Sequence, residues 1–432
     1  MNVPDSFKAY VEAVLRQVRW KKAHFAISRE LEAHLCDTRD CLLSAGYEED
    51  EAVKEAIRQT GSPVEIGVQL DSVHRPRPYW PATILTLTLV LAGVLIRAFL
   101  TYGVSPQLAL SALSAIIGIA LMTSAYFIDY TLLGKHACLV SLAIYLAAPL
   151  MCFVPGQPNI FGSCARYSVL LYPTAFALML YALRGRKVPG AAAALAYALL
   201  LCLSGHIMLP FTGFLITAPA CFIMMLAAAQ RDLFLTGRRT SVIYAVCAAV
   251  LCIVFIWTSG FAGGDLAGRL SAVTGFTGGE SAVLGADEIR RLIDSSVFIG
   301  SAGQAEYSAA VSGWKMDMGY LLTGMICRFG WVSFLAVMTV YGAFFFFFCK
   351  ACMKQRSVLG ALLSYSVVIS IALQAMCYIL SNLGLAELAA ISLPLLSYGN
   401  AATIINLALI GLALSVFRTG SLYNYSEVIA KI

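Results

Sequence analysis

From Trp80 onward the chain is a succession of apolar runs of roughly 18 to 25 residues, the length a helix needs to cross about 30 Å of hydrocarbon. In hydrocarbon every backbone polar group must be satisfied within the segment, so such runs fold as helices. Ten are read, near 80–101, 107–132, 137–154, 165–183, 189–206, 209–230, 241–260, 319–348, 358–380 and 400–417. Of 432 residues 59% are hydrophobic and 12% charged, about half the charged share of a soluble domain. A soluble enzyme is excluded. The net charge of +6 is small and follows loop topology, which argues against a nucleic-acid partner. Most of the 13 cysteines lie singly inside apolar runs, as small hydrophobic side chains do, so neither a disulfide framework nor an oxidising compartment follows.

Residues 1–78 are different: they hold nearly half of all charges and no run long enough to span a bilayer. Phe7, Tyr10, Val11, Val14, Leu15 and Val18 recur at helical spacing, as do Ile27, Leu31, Leu35, Leu42 and Leu43 ahead of a Gly46 stop. A third helix is expected from Glu48 through Val53, Ala56 and Ile57 to Gly61, and a fourth after the Ser62–Pro63 start signal. The expectation is a small cytoplasmic helical domain over 1–78, divided at Pro76–Pro81 from a ten-helix membrane domain over 79–432. With this charged domain ahead of the first apolar run, no signal peptide is expected and the N-terminus stays in the cytoplasm.

The connections alternate in charge. Segments 134–136, 184–187, 231–239, 350–356 and the tail from Arg418 are basic, whereas 102–106 and 155–163 carry no charge. Positive charge marks the cytoplasmic side of a membrane. Ten spans then put both termini inside, and the long hydrophilic connection 261–318 outside.

That connection carries Arg269, Arg290, Arg291 and Lys315 among seven acidic residues, Asp265, Glu280, Asp287, Glu288, Asp294, Glu306 and Asp317. It reads either as a solvated linker or, being far longer than an ordinary helix connection, as a functional loop. Within it, 286–298 has helical periodicity at Ile289, Leu292 and Ile293 and could lie on the membrane surface. Asp317 stands where the loop returns to apolar sequence; a partly desolvated carboxylate there suits a proton acceptor, and an Asp there suits a helix cap equally well. Arg97, Asp129, Arg166 and Arg328 lie in or at the edges of spans. Such residues face a bundle interior or a polar cavity, or snorkel to the interface. Arg97 and Arg166 fall where they could meet an anionic headgroup, and Asp129 beside Lys135 and His136 reads as a structural ion pair. Cys349 and Cys352 have no second ligand pair at zinc spacing, and no phosphate-binding glycine loop, HExxH or GxSxG pattern occurs.

The stretch SLPLLSYGNAATIINLALIGLALSVFR, 392–418, resembles the signature of the SEDS family, the FtsW, RodA and SpoVE proteins of bacterial division, elongation and sporulation, whose version reads LPxxSYGGSS. Leu393, Pro394, Ser397, Tyr398 and Gly399 match, and Asn400 replaces the second glycine. Gln374 and Gly384 keep the family's spacing, while Tyr378, Glu387 and Ala390 depart from it. Physically the motif is a tight turn leading into a helix, presenting backbone amides and hydroxyls on one side. In GSCARYSVLLYPTA, 162–175, Arg166, Tyr167, Pro173 and Thr174 resemble another family segment, with Ala175 and Leu178 in place of its Glu and Lys. Residues 1–78 resemble the permease prefix domain of some Gram-positive membrane proteins, through RELEAHLCDTRDCLLSAG and LDSVHR.

The resemblance implies an all-α polytopic membrane protein of the bacterial plasma membrane that polymerises lipid II onto a glycan carried by undecaprenyl pyrophosphate, with a class B penicillin-binding protein as transpeptidase partner. It implies Asp317 as catalytic base and Arg166, Arg269, Pro394, Ser397, Tyr398 and Gly399 as substrate-binding. Arg166 or Arg269, with or without a divalent cation (Mg²⁺ or Mn²⁺), would face the pyrophosphate. Two other readings stay open: a flippase for lipid-linked precursors, which buried charges would also serve, and a non-catalytic scaffold for the transpeptidase, which the altered positions favour.

Overall fold

The structure, a computed structural model, describes residues 4–76, 78–100, 106–152, 164–209, 211–235, 237, 286–301, 320–385, 391–397 and 400–419. Backbone proximity divides the chain into two compact units, one of Tyr79–Phe417 and one of the residues up to Pro78, with which Arg418 and Thr419 are also grouped.

In the first unit the helices follow the apolar spacing. α1 (Asp5–Leu15) buries Phe7, Tyr10, Val11 and Val14, α2 (His24–Ser44) buries Ile27, Leu35 and Cys36, and α3 (Glu49–Thr60) buries Ala52 and lays Ala56 against the α1–α2 cluster. α4 (Pro63–His74) starts on a proline, whose fixed φ suits the first helical turn. Gly61, at φ +99°, turns the chain between α3 and α4, and its carbonyl accepts the Tyr10 hydroxyl at 3.0 Å. On the surface, hydrogen bonds from Arg58 at 2.7 and 2.8 Å hold the Glu55 carboxyl down at about 2; an exposed pair of this kind adds little stability. Ala56 is wholly buried in the cluster around Phe7 and Leu35. Ala56→Leu should therefore overpack this core at a cost of about 1–3 kcal/mol. Limited proteolysis should then cut faster within residues 5–74 while fragments from the membrane unit keep their wild-type pattern.

The second unit continues in chain order with α5 (Trp80–Leu100), α6 (Pro106–Phe127), α7 (Thr131–Lys135), α8 (Ala137–Cys152) and α9 (Tyr172–Ala182). Then come α10 (Lys187–Met208), α11 (Thr212–Gln230), α12 (Ala286–Asp294), α13 (Leu321–Phe329), α14 (Trp331–Met353), α15 (Val358–Asn382) and α16 (Asn400–Thr419). Among the described residues seven helices, α5, α6, α10, α11, α14, α15 and α16, are long and apolar enough to cross a membrane. Two of the expected runs give shorter helices: α8 has 16 residues and α9 has 11. α9 is preceded by a 3₁₀ turn at Val169–Leu171 and is buried at nearly every position, packed on α8 and α15. The run at 241–260 lies outside the described residues.

The run expected over 319–348 is two helices. Gly330, at φ +85°, ends α13 and starts α14, and a Cβ there would stand 2.5 Å from the Phe298 carbonyl oxygen. Only glycine meets both conditions without strain. Elsewhere small residues let backbones meet, as where Gly118 of α6 sits under Leu407 and Gly411 of α16 lies against the Met122 backbone.

Side-chain contacts sort the helix ends. The C-terminal ends of α5 and α15 and the N-terminal ends of α6, α14 and α16 gather at one end of the bundle, with the 391–397 segment and α12. At the opposite end Ser415 of α16 donates to the Ile128 carbonyl at 2.7 Å, and Tyr130 meets Ser357 at 3.1 Å ahead of α15.

Candidate functional site

α15 organises the end where the loops gather. Ser366, Ser370, Gln374, Tyr378 and Asn382 recur every fourth residue, which places them in one line along the helix, and all are buried. Polar side chains this deep in a membrane helix require partners, and each has one. Ser366 Oγ donates to Thr174 Oγ1 at 3.2 Å and Ser370 Oγ to the Leu170 carbonyl at 2.8 Å. Gln374 Nε2 donates to the Ser392 carbonyl at 2.8 Å. At the last two positions the Tyr378 hydroxyl accepts from the Leu321 N–H at 2.9 Å, and Asn382 Oδ1 accepts from the Thr323 N–H at 3.3 Å. The first N–H groups of any helix lack partners within it. For α13, whose own N-cap Tyr320 makes no capping bond, α15 supplies the caps.

The polar line therefore joins three segments that are distant in sequence: 164–175, 391–397 and the start of α13. In the second of these, Leu393 and Ser397 close a turn. The Leu393 N–H donates to Ser397 Oγ at 2.7 Å and the Ser397 N–H to the Leu393 carbonyl at 3.1 Å. Leu395 sits at φ +65°, a left-handed conformation that costs a leucine about 1–3 kcal/mol and persists only where neighbours impose it. Here they do. The Tyr341 hydroxyl of α14 donates to the Pro394 carbonyl, and a Cβ on Gly93 of α5 would stand 2.5 Å from the Leu396 carbonyl oxygen. Gly93→Val should push the turn off α5 at a cost of about 1–3 kcal/mol, read as a melting point several degrees lower in detergent, with Gly93→Ala intermediate.

Among the sequence-derived candidates, Arg166 is half-buried next to Tyr167, whose side chain hydrogen-bonds Ser392 immediately before the turn. The residue after Arg166 thus meets the residue before the turn that holds Pro394 and Ser397. Ser397 is buried and its hydroxyl oxygen accepts within the turn. Asp317, Arg269, Tyr398 and Gly399 lie outside the described residues. Asn400, at the start of α16, accepts a hydrogen bond from Ser114 of α6 at 3.3 Å, so the side chain that replaces a family glycine has a use. Arg97, 3% exposed, donates to Ser111 of α6 rather than reaching water. Asp129 accepts from the Thr131 N–H at 3.0 Å at the start of α7. Of the α15 polar line the sequence singles out Gln374 and Tyr378, through the resemblance, but not Ser366, Ser370 or Asn382, nor Thr323 and Tyr341. The line was readable there, as a fourfold polar repeat in an otherwise apolar run.

No group of three or more His, Cys, Asp or Glu side chains converges among the described residues. The hydroxyls, amides and guanidinium of the described site do not make a donor set for a divalent cation, whose ligands are mainly carboxylates and carbonyls.

Fold and site define a polytopic helical membrane protein whose buried polar groups collect where its loops meet. Residues 316–421 match the family model described as cell cycle protein, that of FtsW, RodA and SpoVE. Rod shape determining protein RodA of Thermus thermophilus has the same fold, at 17% identity and a TM-score of 0.52, covering 79% of this chain and 97% of that one. A substituted form of that protein aligns equally well. A chain from a peptidoglycan synthase complex, studied for its coordination of polymerization and crosslinking, aligns at 18% identity and a TM-score of 0.56, over 78% of this chain and 97% of that one. No curated protein matches significantly. Residues 316–421 thus resemble the SEDS family in sequence, and most of the chain shares the fold of RodA.

Proposed function

We propose that this protein is a peptidoglycan glycosyltransferase that polymerises lipid II at the outer face of the bacterial plasma membrane, with both termini cytoplasmic. One observation carries the reading: α15 ties the start of α13 to the turn at Leu393–Ser397 and, through Leu170 and Thr174, to the segment bearing Arg166. Asp317 stands four residues ahead of Leu321 in sequence. The start of α13, the segment bearing Arg166 and the tight turn thus share one buried framework, and a base close ahead of α13 in sequence supports sugar transfer from a lipid pyrophosphate.

In the proposed reaction the 4-hydroxyl of the GlcNAc unit of lipid II attacks C1 of the terminal MurNAc of the growing glycan. The C1–O bond to undecaprenyl pyrophosphate breaks with inversion. Asp317 accepts the hydroxyl proton as the new bond forms. The departing pyrophosphate needs a positive charge more than an acid, and Arg166 or Arg269 supplies it. The relative in a peptidoglycan synthase complex supports a class B penicillin-binding protein as partner. The test is purified protein in vesicles with labelled lipid II. Glycan ladders support the polymerase; translocation of label without ladders would replace it with a flippase.

A further inference from the structure

The 286–301 segment of the long loop meets two kinds of surface. α12 spends its apolar face on protein: Ile289, Leu292 and Ile293 are buried, with Ile289 and Ile293 against Tyr320, Trp331 and Leu383. Its other side carries Asp287, Glu288, Arg290, Arg291 and Asp294, all exposed. The expectation that this helix uses its apolar face on the membrane surface is therefore corrected, since that face is already covered. The residues after it behave differently. Val297, Phe298 and Ile299 are consecutive, bulky and 39%, 61% and 74% exposed.

These three are not a loose tip. The Trp331 N–H donates to the Val297 carbonyl at 3.3 Å, the Val332 N–H to the Phe298 carbonyl at 3.2 Å, and the Gly300 N–H to the Phe329 carbonyl at 3.4 Å. Gly330 leaves no side chain between the two strands of backbone. The apolar knuckle is thus fixed to the first turn of α14. That helix has 23 residues, or about 35 Å at 1.5 Å each, enough to cross the hydrocarbon from end to end. Its first turn therefore lies at the bilayer boundary. Val332 and Leu335 on α14 and Phe329 before it are also exposed, and add apolar surface along the helix. Among the described residues α14 is the least buried of the seven helices long enough to span, so its flank is a lipid-facing surface that the knuckle continues. A pinned patch this apolar needs a non-aqueous neighbour.

We infer that Phe298 and Ile299 insert into the leaflet beside α14 and make the 286–301 segment a lipid anchor for the long loop. The occupant is lipid, and the device belongs to the class of short interfacial attachments that lie in a membrane without spanning it. The anchor ties the chain at Ser301, α13 ties it at Leu321, and the intervening residues include Asp317. The inference itself does not depend on the proposed activity.

The test is photo-crosslinking of the full chain in vesicles of phosphatidylethanolamine and phosphatidylglycerol. p-Benzoylphenylalanine replaces Phe298, Ile299, Leu335 as the lipid-facing standard, or Asp287 as the aqueous one, and mass spectrometry reads the adducts. Phospholipid adducts at 298 and 299 matching those at 335, and several-fold above 287, are expected. Adducts at 298 and 299 no more frequent than at 287 would overturn the inference. So would adducts in native membranes that form with another polypeptide instead of lipid, which would make the patch a protein interface. Melting points equal to wild type confirm that each substituted chain is folded.

Discussion

Asp317→Asn should abolish lipid II polymerisation, with a loss of at least about 10²-fold, the range set by removing a general base. The amide is nearly isosteric with the carboxylate and cannot take the hydroxyl proton. Expression and membrane insertion should be unchanged, because Tyr378 and Asn382 hold the start of α13. Asp317→Glu keeps the base on a longer arm and should retain part of the rate. Glycan ladders from reconstituted protein measure both variants. Wild-type rates in the Asn variant would remove Asp317 from the chemistry. Full complementation in cells by Asp317→Ala would favour the scaffold reading, since a scaffold needs no base.

The bilayer imposes a length on each apolar run, and so most of the helices could be read directly. The break at Gly330 could not, since hydrophobicity is continuous across Phe329 and Trp331. It is set by the backbone of Val297 and Phe298, over 30 residues earlier, which no local pattern reports. The amphipathic spacing of α12 was visible, but an apolar stripe fits a protein surface as well as a membrane, and only the structure shows Tyr320, Trp331 and Leu383 beneath it. The site divides in a similar way. Charged residues in apolar runs draw attention because they are costly, which is how Arg97 and Arg166 were found. Ser366, Ser370, Gln374, Tyr378 and Asn382 are neutral and pass for tolerated polar residues until their shared line is drawn. Pro394 and Ser397 came from family resemblance, and the geometry adds a physical content: a strained turn held by Tyr341 and Gly93.

Asn382→Leu should lower both stability and activity, and the pairing of the two effects is the informative result. Leucine keeps the volume but cannot accept from the Thr323 N–H or donate to the Tyr378 carbonyl, which Asn382 Nδ2 reaches at 3.0 Å. The Tyr378 carbonyl keeps its backbone partner within α15, so the main loss is the buried Thr323 N–H left alone, at about 1–3 kcal/mol, and the melting point should fall by several degrees. Tyr378→Phe removes the neighbouring cap on Leu321. Because both caps serve one helix end, the double variant should be less destabilised than the sum of the singles. Fraying at that end loosens the chain four residues from Asp317, so glycan synthesis per folded molecule should drop by about tenfold or more, as a small misplacement of a reacting group does. Thr323→Val retains the backbone N–H and its acceptor on Asn382, and should cost much less in rate. A lower melting point with an unchanged rate per folded molecule would mean that α15 holds the fold together without positioning the base.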